Sequence, residues 1–407
     1  MATLIRSTLA VLVLLLAGAH DAAAKPGDRD ARYGKKGVFE TKRLDGGWTG
    51  LVQRDGRLLV AGGIFSPGIL RLTPRGRLDR RFGNSGRARI AGLRDVLPFG
   101  LRRGRNDELQ VAAATMTVDA PPVELLRFSR SGRALGRTPH RDFFAGPIDK
   151  AVQRPDGGAY VTNAYYGEVR AVRPDGAVDT AFGGGTISLG DPSTIVRSAI
   201  ATRRDGRLVL AVVSGDRPEL RQYTREGRPD PSWGGDGVVS LPFGATTVAV
   251  LRNGDVLAAG GGFRWLARAV RFRRDGTRRM SFGAGGVGGR ITAATFGQVK
   301  DVVEDARGRL YLLTESKRIG VVALKAGGAR LMRFGHRSRM VFPVPVPTVD
   351  GCPAADEASQ ILLDRRRGLL VVGTRYECGS AHPAFGCDVR DDFCASDVLL
   401  AVWRLKR

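Results

Sequence analysis

A phrase of about fifty residues recurs along the chain, and its two outermost copies are each incomplete. The fullest copy is QRDGRLLVAGG (Gln53–Gly63) followed by ILRLTPRGRLDRRFGNSG (Ile69–Gly86). It reads as a strand, an Asp-Gly turn, a second strand, a variable loop, a third strand and then L-D-x-x-F-G-x-x-G. The last copy stops after its third strand at Leu405, and the missing tail stands at the other end as DARYGKKGVFETK (Asp30–Lys42). A repeat whose ends complete each other predicts a closed ring, because closure removes the unpaired edges that an open array leaves exposed.

The turn and second strand recur as RDGRLLVAG (Arg54–Gly62), RNDELQVAA (Arg105–Ala113), PDGGAYVTN (Pro155–Asn163) and RDGRLVLAV (Arg204–Val212). RNGDVLAAG (Arg252–Gly260), ARGRLYLLT (Ala306–Thr314) and RRGLLVVG (Arg366–Gly373) complete seven copies. Each sets Leu-rich or β-branched runs around Asp-Gly, Asn-Gly or a relative, the strongest short-range hairpin signal. The tails are LDRRFGNSG (Leu78–Gly86), VDTAFGGGT (Val178–Thr186), PDPSWGGDG (Pro229–Gly237) and RMSFGAGG (Arg279–Gly286). The tail is degenerate around Phe334 and almost unreadable after Leu135. The aromatic residue is expected to pack between neighbouring units while Gly turns the chain behind it. Asp79, Asp179 and Asp230 read as turn caps, since as metal ligands or acids they would have to act identically in several copies.

Four short strands per copy, seven copies and no helix period predict an all-β seven-bladed β-propeller. Each blade has four antiparallel strands, and the last is closed by the N-terminal strand Val38–Lys42. A β-sandwich is the alternative, and the regular unit length argues against it. These motifs resemble the bacterial delta-60 repeat proteins, most specifically in the copies starting near Gln53, Gln153, Arg204 and Arg252. The resemblance covers nearly the whole chain after its leader and weakens in the second and sixth copies. It implies the propeller fold and brings no catalytic residues with it.

Ahead of the repeats, Arg6, the apolar run Leu9–Ala17 and the small residues Ala22-Ala23-Ala24 read as a signal peptide over residues 1–24. The expected product is a single propeller domain, residues 25–407, secreted or cell-envelope associated, extracellular or periplasmic, with no transmembrane segment. Cys352, Cys378, Cys387 and Cys394 all fall in insertions within residues 343–397. Export, an even count and clustering favour two disulfides over a metal site, whose paired two-residue gaps are missing. Three pairings are open; Cys352 with Cys378 and Cys387 with Cys394 is one, and would staple a lobe onto the last blade.

The formal charge of +25 is mostly Arg. Export disfavours nucleic acid as partner, whereas an anionic envelope polymer or acidic polysaccharide would meet the same field. Arg54, Arg57, Arg75 and Arg77 sit at turns, which spreads charge around the ring rather than concentrating it. The variable loops carry Phe65, Tyr165, Tyr166, Phe263 and Trp265, with Met116, Phe143, Phe144 and Phe296. These could stack on a sugar, grip a peptide, or seal the loops together.

Enzyme signals are thin. His140, His336 and His382 are scattered, and neither G-x-S-x-G nor H-E-x-x-H occurs. Gly283–Gly288 has G-x-G-x-x-G spacing but is the repeat's own tail. Asp388–Asp392 lacks EF-hand spacing. Asp301, Glu304 and Asp364 are the few acids near the inner strands. The sequence therefore reads as a binding or interaction module for a protein, a polysaccharide or an envelope polymer, with no cofactor, metal ligand or catalytic residue assigned. The alternative is an extracellular enzyme, such as a lactonase or metal-dependent hydrolase, with a site in the central channel.

Overall fold

Each repeat begins with a hairpin whose turn is closed by the chain's own polar groups. In the first, Gln53 N–H bonds the Arg57 carbonyl at 2.8 Å and Asp55 Oδ1 accepts the Arg57 amide at 3.0 Å. Gly56 sits at φ +83°, where a Cβ would be strained. The computed structural model describes residues 25–406 with the exception of 45, 64–66, 90–95, 105–106, 116–122, 141–149, 164–166, 176, 192–194, 215–216, 263–265, 284–286, 289–297, 316–318, 343–354, 365–367 and 378–396. The leader, the four cysteines and the loop aromatics Phe65, Tyr165, Tyr166, Phe263 and Trp265 lie outside the described residues, as do Met116, Phe143, Phe144 and Phe296.

The chain forms seven four-stranded antiparallel sheets arranged as a β-propeller. The inner strands of blades 1 to 7 are Thr49–Val52, Val96–Arg103, Lys150–Gln153, Ile195–Thr202, Thr247–Val250, Gln298–Glu304 and Ala355–Asp364. Blade 7 takes its outer strand, Val38–Thr41, from the N-terminus; it pairs with Asp397–Leu405 in the register Val38↔Trp403 to Thr41↔Leu400. Beyond the strand, Gly27 N–H bonds the Lys406 carbonyl at 2.7 Å and Lys406 N–H bonds Asp28 at 2.8 Å. The expected ring closure is therefore made, by backbone pairing across the chain ends.

Alternation along the second strand of each blade decides what packs between blades. Leu59 and Ala61 face blade 2, whereas Leu58 and Val60 face blade 7. The tail aromatics Phe82, Phe182, Trp233, Phe282 and Phe334 are all fully buried, each worth roughly 1.5–3 kcal/mol by area removed from water.

The Gly after each ring does more than turn the chain. Its N–H bonds a carbonyl in the next blade: Gly83 to Ser131, Gly183 to Glu226, Gly234 to Asp275, Gly283 to Gly327, Gly335 to Pro26 and Gly34 to Arg75, all at 2.6–2.9 Å. Substituting Gly234 with Ala should test this latch. The residue is at φ +65° and a Cβ there would stand 2.5 Å from the Val238 carbonyl oxygen. A loss of about 2 kcal/mol or more in urea unfolding is expected; a change near zero would mean the latch is dispensable.

Arginine, read from sequence as solvated turn charge, also bridges the blades: Arg71 Nη1 donates to the Arg130 carbonyl at 3.2 Å, Arg203 Nη1 to that of Gly254 at 2.6 Å and Arg271 Nη1 to that of Ala326 at 3.0 Å. Arg71 lies 4.6 Å from the centre of Phe82 and 2.9 Å from Asp79. Arg154 stacks on Tyr160, Arg203 on Trp233, Arg309 on Tyr311 and Arg404 on Tyr33. Burial pushes the Tyr160 hydroxyl up to about 12, and it donates to the Gly206 carbonyl of the next blade at 2.7 Å. The turn-cap reading of Asp79 and Asp230 is visible directly: Asp79 Oδ1 accepts the Arg81 amide and Asp230 Oδ1 the Ser232 amide.

Candidate binding cavity

One junction lacks these devices. Between its third strand, Val123–Phe128, and its outer strand, Ala134–His140, blade 2 has no Phe-Gly pair, so among the described residues neither a buried tail ring nor its glycine latch reaches blade 3. Its second strand has Gln110 at the position facing the next blade, where the others have Leu59, Tyr160, Val209, Leu257, Tyr311 and Leu370. Across the gap, blade 3 offers Ala159, where the others offer Leu58, Leu109, Leu208, Val256, Leu310 and Leu369. Among the described residues the apolar cluster at this seam has just Val161 and Val172 buried, with Ala151, Ala159 and Val178 partly so. Its neighbour between blades 3 and 4 contains Tyr160, Phe182, Leu208 and seven further buried residues.

Two polar groups record the missing partners. Gln110 Oε1 is shut away from solvent without a hydrogen-bond partner among the described residues. Arg127, the cross-strand neighbour of Gln110, keeps 45 % of its side chain exposed, whereas Arg71, Arg271 and Arg404 at the equivalent position keep 13, 10 and 2 %. Those three have a carboxylate within 3 Å; among the described residues Arg127 pairs with Glu108 alone, at 3.4 Å.

The result is a cavity of about 280 Å³ that runs from the central channel into the seam. Blade 2 contributes Gly100, Arg102, Ala112 and Leu125, blade 3 contributes Ala151, Gln153, Gly157, Ala159, Val161 and Val172, and Gly50 and Gln360 border it from the channel side. Small residues on both walls create the space. Gly157 sits at φ +101°, a conformation that favours glycine, and brings its backbone close under the Arg102 guanidinium. The double substitution Gln110→Leu with Ala159→Leu restores the residues found at other junctions. It should raise stability by roughly 1–2 kcal/mol, as cavity filling does elsewhere. A lower Tm for the double variant would show that the seam is already close-packed.

The acids near the inner strands are committed to structure. Asp301 accepts the Ile361 amide of blade 7 and the Val302 amide, at 3.0 and 2.8 Å. Glu304 accepts the Arg252 amide at 2.7 Å, and Asp364 accepts Arg404 Nη2 at 2.6 Å. Among the described residues no three His, Cys, Asp or Glu side chains gather as a metal ion would require. The structure thus does not bring these acids to a common point in the channel.

Asp301 titrates abnormally. Burial pushes its carboxyl up to about 6, against the lowering effect of its two amide donors. The folded state therefore holds this proton more tightly than the unfolded chain does, and its contribution is lost as pH rises from about 4 to 6. Asp301→Asn should remove a declining slope of roughly 1 kcal/mol per pH unit from the wild-type stability in that window. Denaturant titrations at several pH values check this; parallel curves for the two proteins would contradict it.

Fold and seam together define a seven-bladed propeller with a channel-linked cavity. Two solved structures share the architecture. A catalytically inactive virginiamycin B lyase from Staphylococcus aureus with quinupristin aligns at TM-score 0.52 and 11 % identity, over 90 % of this chain and 99 % of that one. YCF48 bound to D1 peptide aligns at TM-score 0.51 and 10 % identity, over 94 % and 98 %. At such identities the likeness is one of fold. No protein-family model matches the chain, and no curated protein matches its sequence.

Proposed function

We propose that the protein is an exported binding module whose recognition site is the cavity between blades 2 and 3 where it opens on the channel. The observation that carries this reading is the local loss of packing at one junction in a ring whose other junctions are filled by large apolar side chains. A scaffold selected only for stability gains nothing from Gln110 and Ala159 at that place. The leader-like N-terminus and the repeat's resemblance to delta-60 proteins fit an exported scaffold. YCF48, of the same fold, is bound to a peptide in its solved structure, which fits a peptide or protein as the partner class.

A ligand-observed NMR screen of a fragment set against the native protein and the Gln110→Leu/Ala159→Leu variant tests the location. Fragments that bind the native protein and not the filled one support it. Fragments that bind both equally, or a set with no binders, overturn it.

A further inference from the structure

The cavity has an electrostatic character of its own. Arg102 lies on its wall, facing blade 3 from the inner strand of blade 2. Four other seam arginines have a carboxylate in reach: Arg71 has Asp79 at 2.9 Å, Arg271 has Asp255 at 2.7 Å, Arg309 has Asp305 at 2.6 Å and Arg404 has Asp364 at 2.6 Å; a fifth, Arg203, donates instead to Gln222 Oε1 and, at 2.6 Å, to the Gly254 carbonyl. Arg102 makes no such ion pair with any described residue. Its one charged influence is Asp156, and that carboxylate already holds Arg154 Nη2 at 2.7 Å and the Gly158 amide at 2.9 Å. Burial pulls the Arg102 guanidinium below its ordinary range, with Asp156 only partly offsetting it. An arginine does not shed its proton at physiological pH, so this charge stands on a partly buried wall with no ion-pair partner among the described residues.

A second donor is near. The Gln153 side chain also lines the cavity, with its Nε2 toward Gly100, where a Cβ would lie 3.7 Å away. The one carboxylate on the lining is Glu124, which the register places on the blade 1 side and whose carboxyl burial pushes up, against the lowering effect of Arg137. Its register partner Ala113 belongs to the cluster between blades 1 and 2, and its Oε1 lies 3.5 Å from Arg137. Ala112, Leu125, Ala151, Ala159, Val161 and Val172 make the wall largely apolar, with Thr49, Gln360 and Arg173 at its border, the last paired with Asp175 at 3.3 Å. That combination suits an anion whose body is apolar, and a planar guanidinium fork suits a carboxylate better than it suits a compact, strongly hydrated phosphate.

We infer that this cavity takes a carboxylate carried on a short aliphatic stem, received by the guanidinium of Arg102 and the side-chain amide of Gln153. The inference rests on the cavity being the binding site. A free fatty-type acid and the C-terminus of a peptide present the same chemistry.

Titration calorimetry with matched probes tests it: hexanoate, hexanamide, hexylamine and inorganic phosphate, then the tripeptide Ala-Val-Leu with a free and an amidated C-terminus. Hexanoate is expected to bind at least about tenfold more tightly than hexanamide or hexylamine, the size of one charge-assisted hydrogen bond. R102Q should lose that preference while R102K keeps part of it, with both variants retaining the native Tm to show that folding is intact. Binding of the free tripeptide but not its amide assigns the ligand to peptide C-termini; equal weakness of both tripeptides assigns it to small acids. Hexanamide or hexylamine binding as tightly as hexanoate, and lost in the filled variant, overturns the carboxylate while leaving the cavity as the site. Tighter phosphate binding, or R102Q unchanged toward hexanoate, also overturns it. No binding by any probe removes both readings.

Discussion

Arg404→Ala is expected to lower the unfolding free energy by about 3–5 kcal/mol, the range for breaking a buried, hydrogen-bonded ion pair from one side. The residue is 2 % exposed on the strand that receives the N-terminal segment. Its Nη2 donates to Asp364 at 2.6 Å within blade 7, and its Nη1 donates to the Pro74 carbonyl of blade 1 at 2.8 Å. Its guanidinium lies 5.2 Å from the ring centre of Tyr33, a residue from the N-terminal end. One side chain thus ties blade 7 to blade 1 and to the segment that closes the ring. Removing it leaves Asp364 buried without its cation and Tyr33 without its stacking partner. Urea unfolding followed by fluorescence reads the loss, and a decrease under about 1 kcal/mol would mean that closure depends on the backbone zipper alone. Arg404→Lys should recover less than half, because an ammonium cannot reach Pro74 and Asp364 together in a planar fork.

Trp233→Ala is the second large effect, about 3–5 kcal/mol from lost transfer energy and the cavity left behind. The indole is fully buried between blades 4 and 5, 6.2 Å from the Phe272 ring, with Arg203 stacked 5.2 Å from its centre. The chain around it is held by Trp233 N–H to Asp230 at 3.0 Å and Gly234 N–H to Asp275 at 2.9 Å, so little collapse into the hole is possible. Its own Nε1 has no hydrogen-bond partner among the described residues. Trp233→Phe should therefore cost much less, under about 1.5 kcal/mol, because the ring is kept and an unsatisfied donor is removed. The contrast lies at the open seam. Leu125→Ala, on a wall that already borders empty space, is expected to cost about 1 kcal/mol or less, since few contacts are there to lose. Equal costs for Trp233→Ala and Leu125→Ala would show that the seam is as tightly packed as the other junctions.

Much of this architecture is legible in single residues. The Asp-Gly turns, the aromatic-Gly tails and the split last copy state local requirements: a positive φ, a ring to bury, an edge to pair. Each acts within a few residues of itself, so its meaning survives in the linear chain, and blade count and closure follow from it. The unreadable tail after Leu135 was likewise visible as a gap in the pattern. Its consequence was not, and the aromatic loop residues proposed as a ligand face lie outside the described residues. The arginine ladder escaped for a related reason. Arg71, Arg271 and Arg404 look like ordinary strand-end charges until the register sets them beside Leu59, Leu257 and Leu370 and over the tail aromatics or beside buried carboxylates.

By itself, then, the sequence determined the repeat, the hairpins, the seven sheets and the strand exchange that shuts the ring, because each of these is written in local backbone chemistry. Only the tertiary structure decided where the ring is incompletely filled. Gln110 is an unremarkable polar residue and Ala159 an unremarkable small one, and the cavity exists because blades 2 and 3 set them against each other without an intervening Phe-Gly. Packing is a property of facing pairs distant along the chain, and so is the uncompensated charge of Arg102, whose isolation depends on which carboxylates Arg154 and Arg137 have already taken.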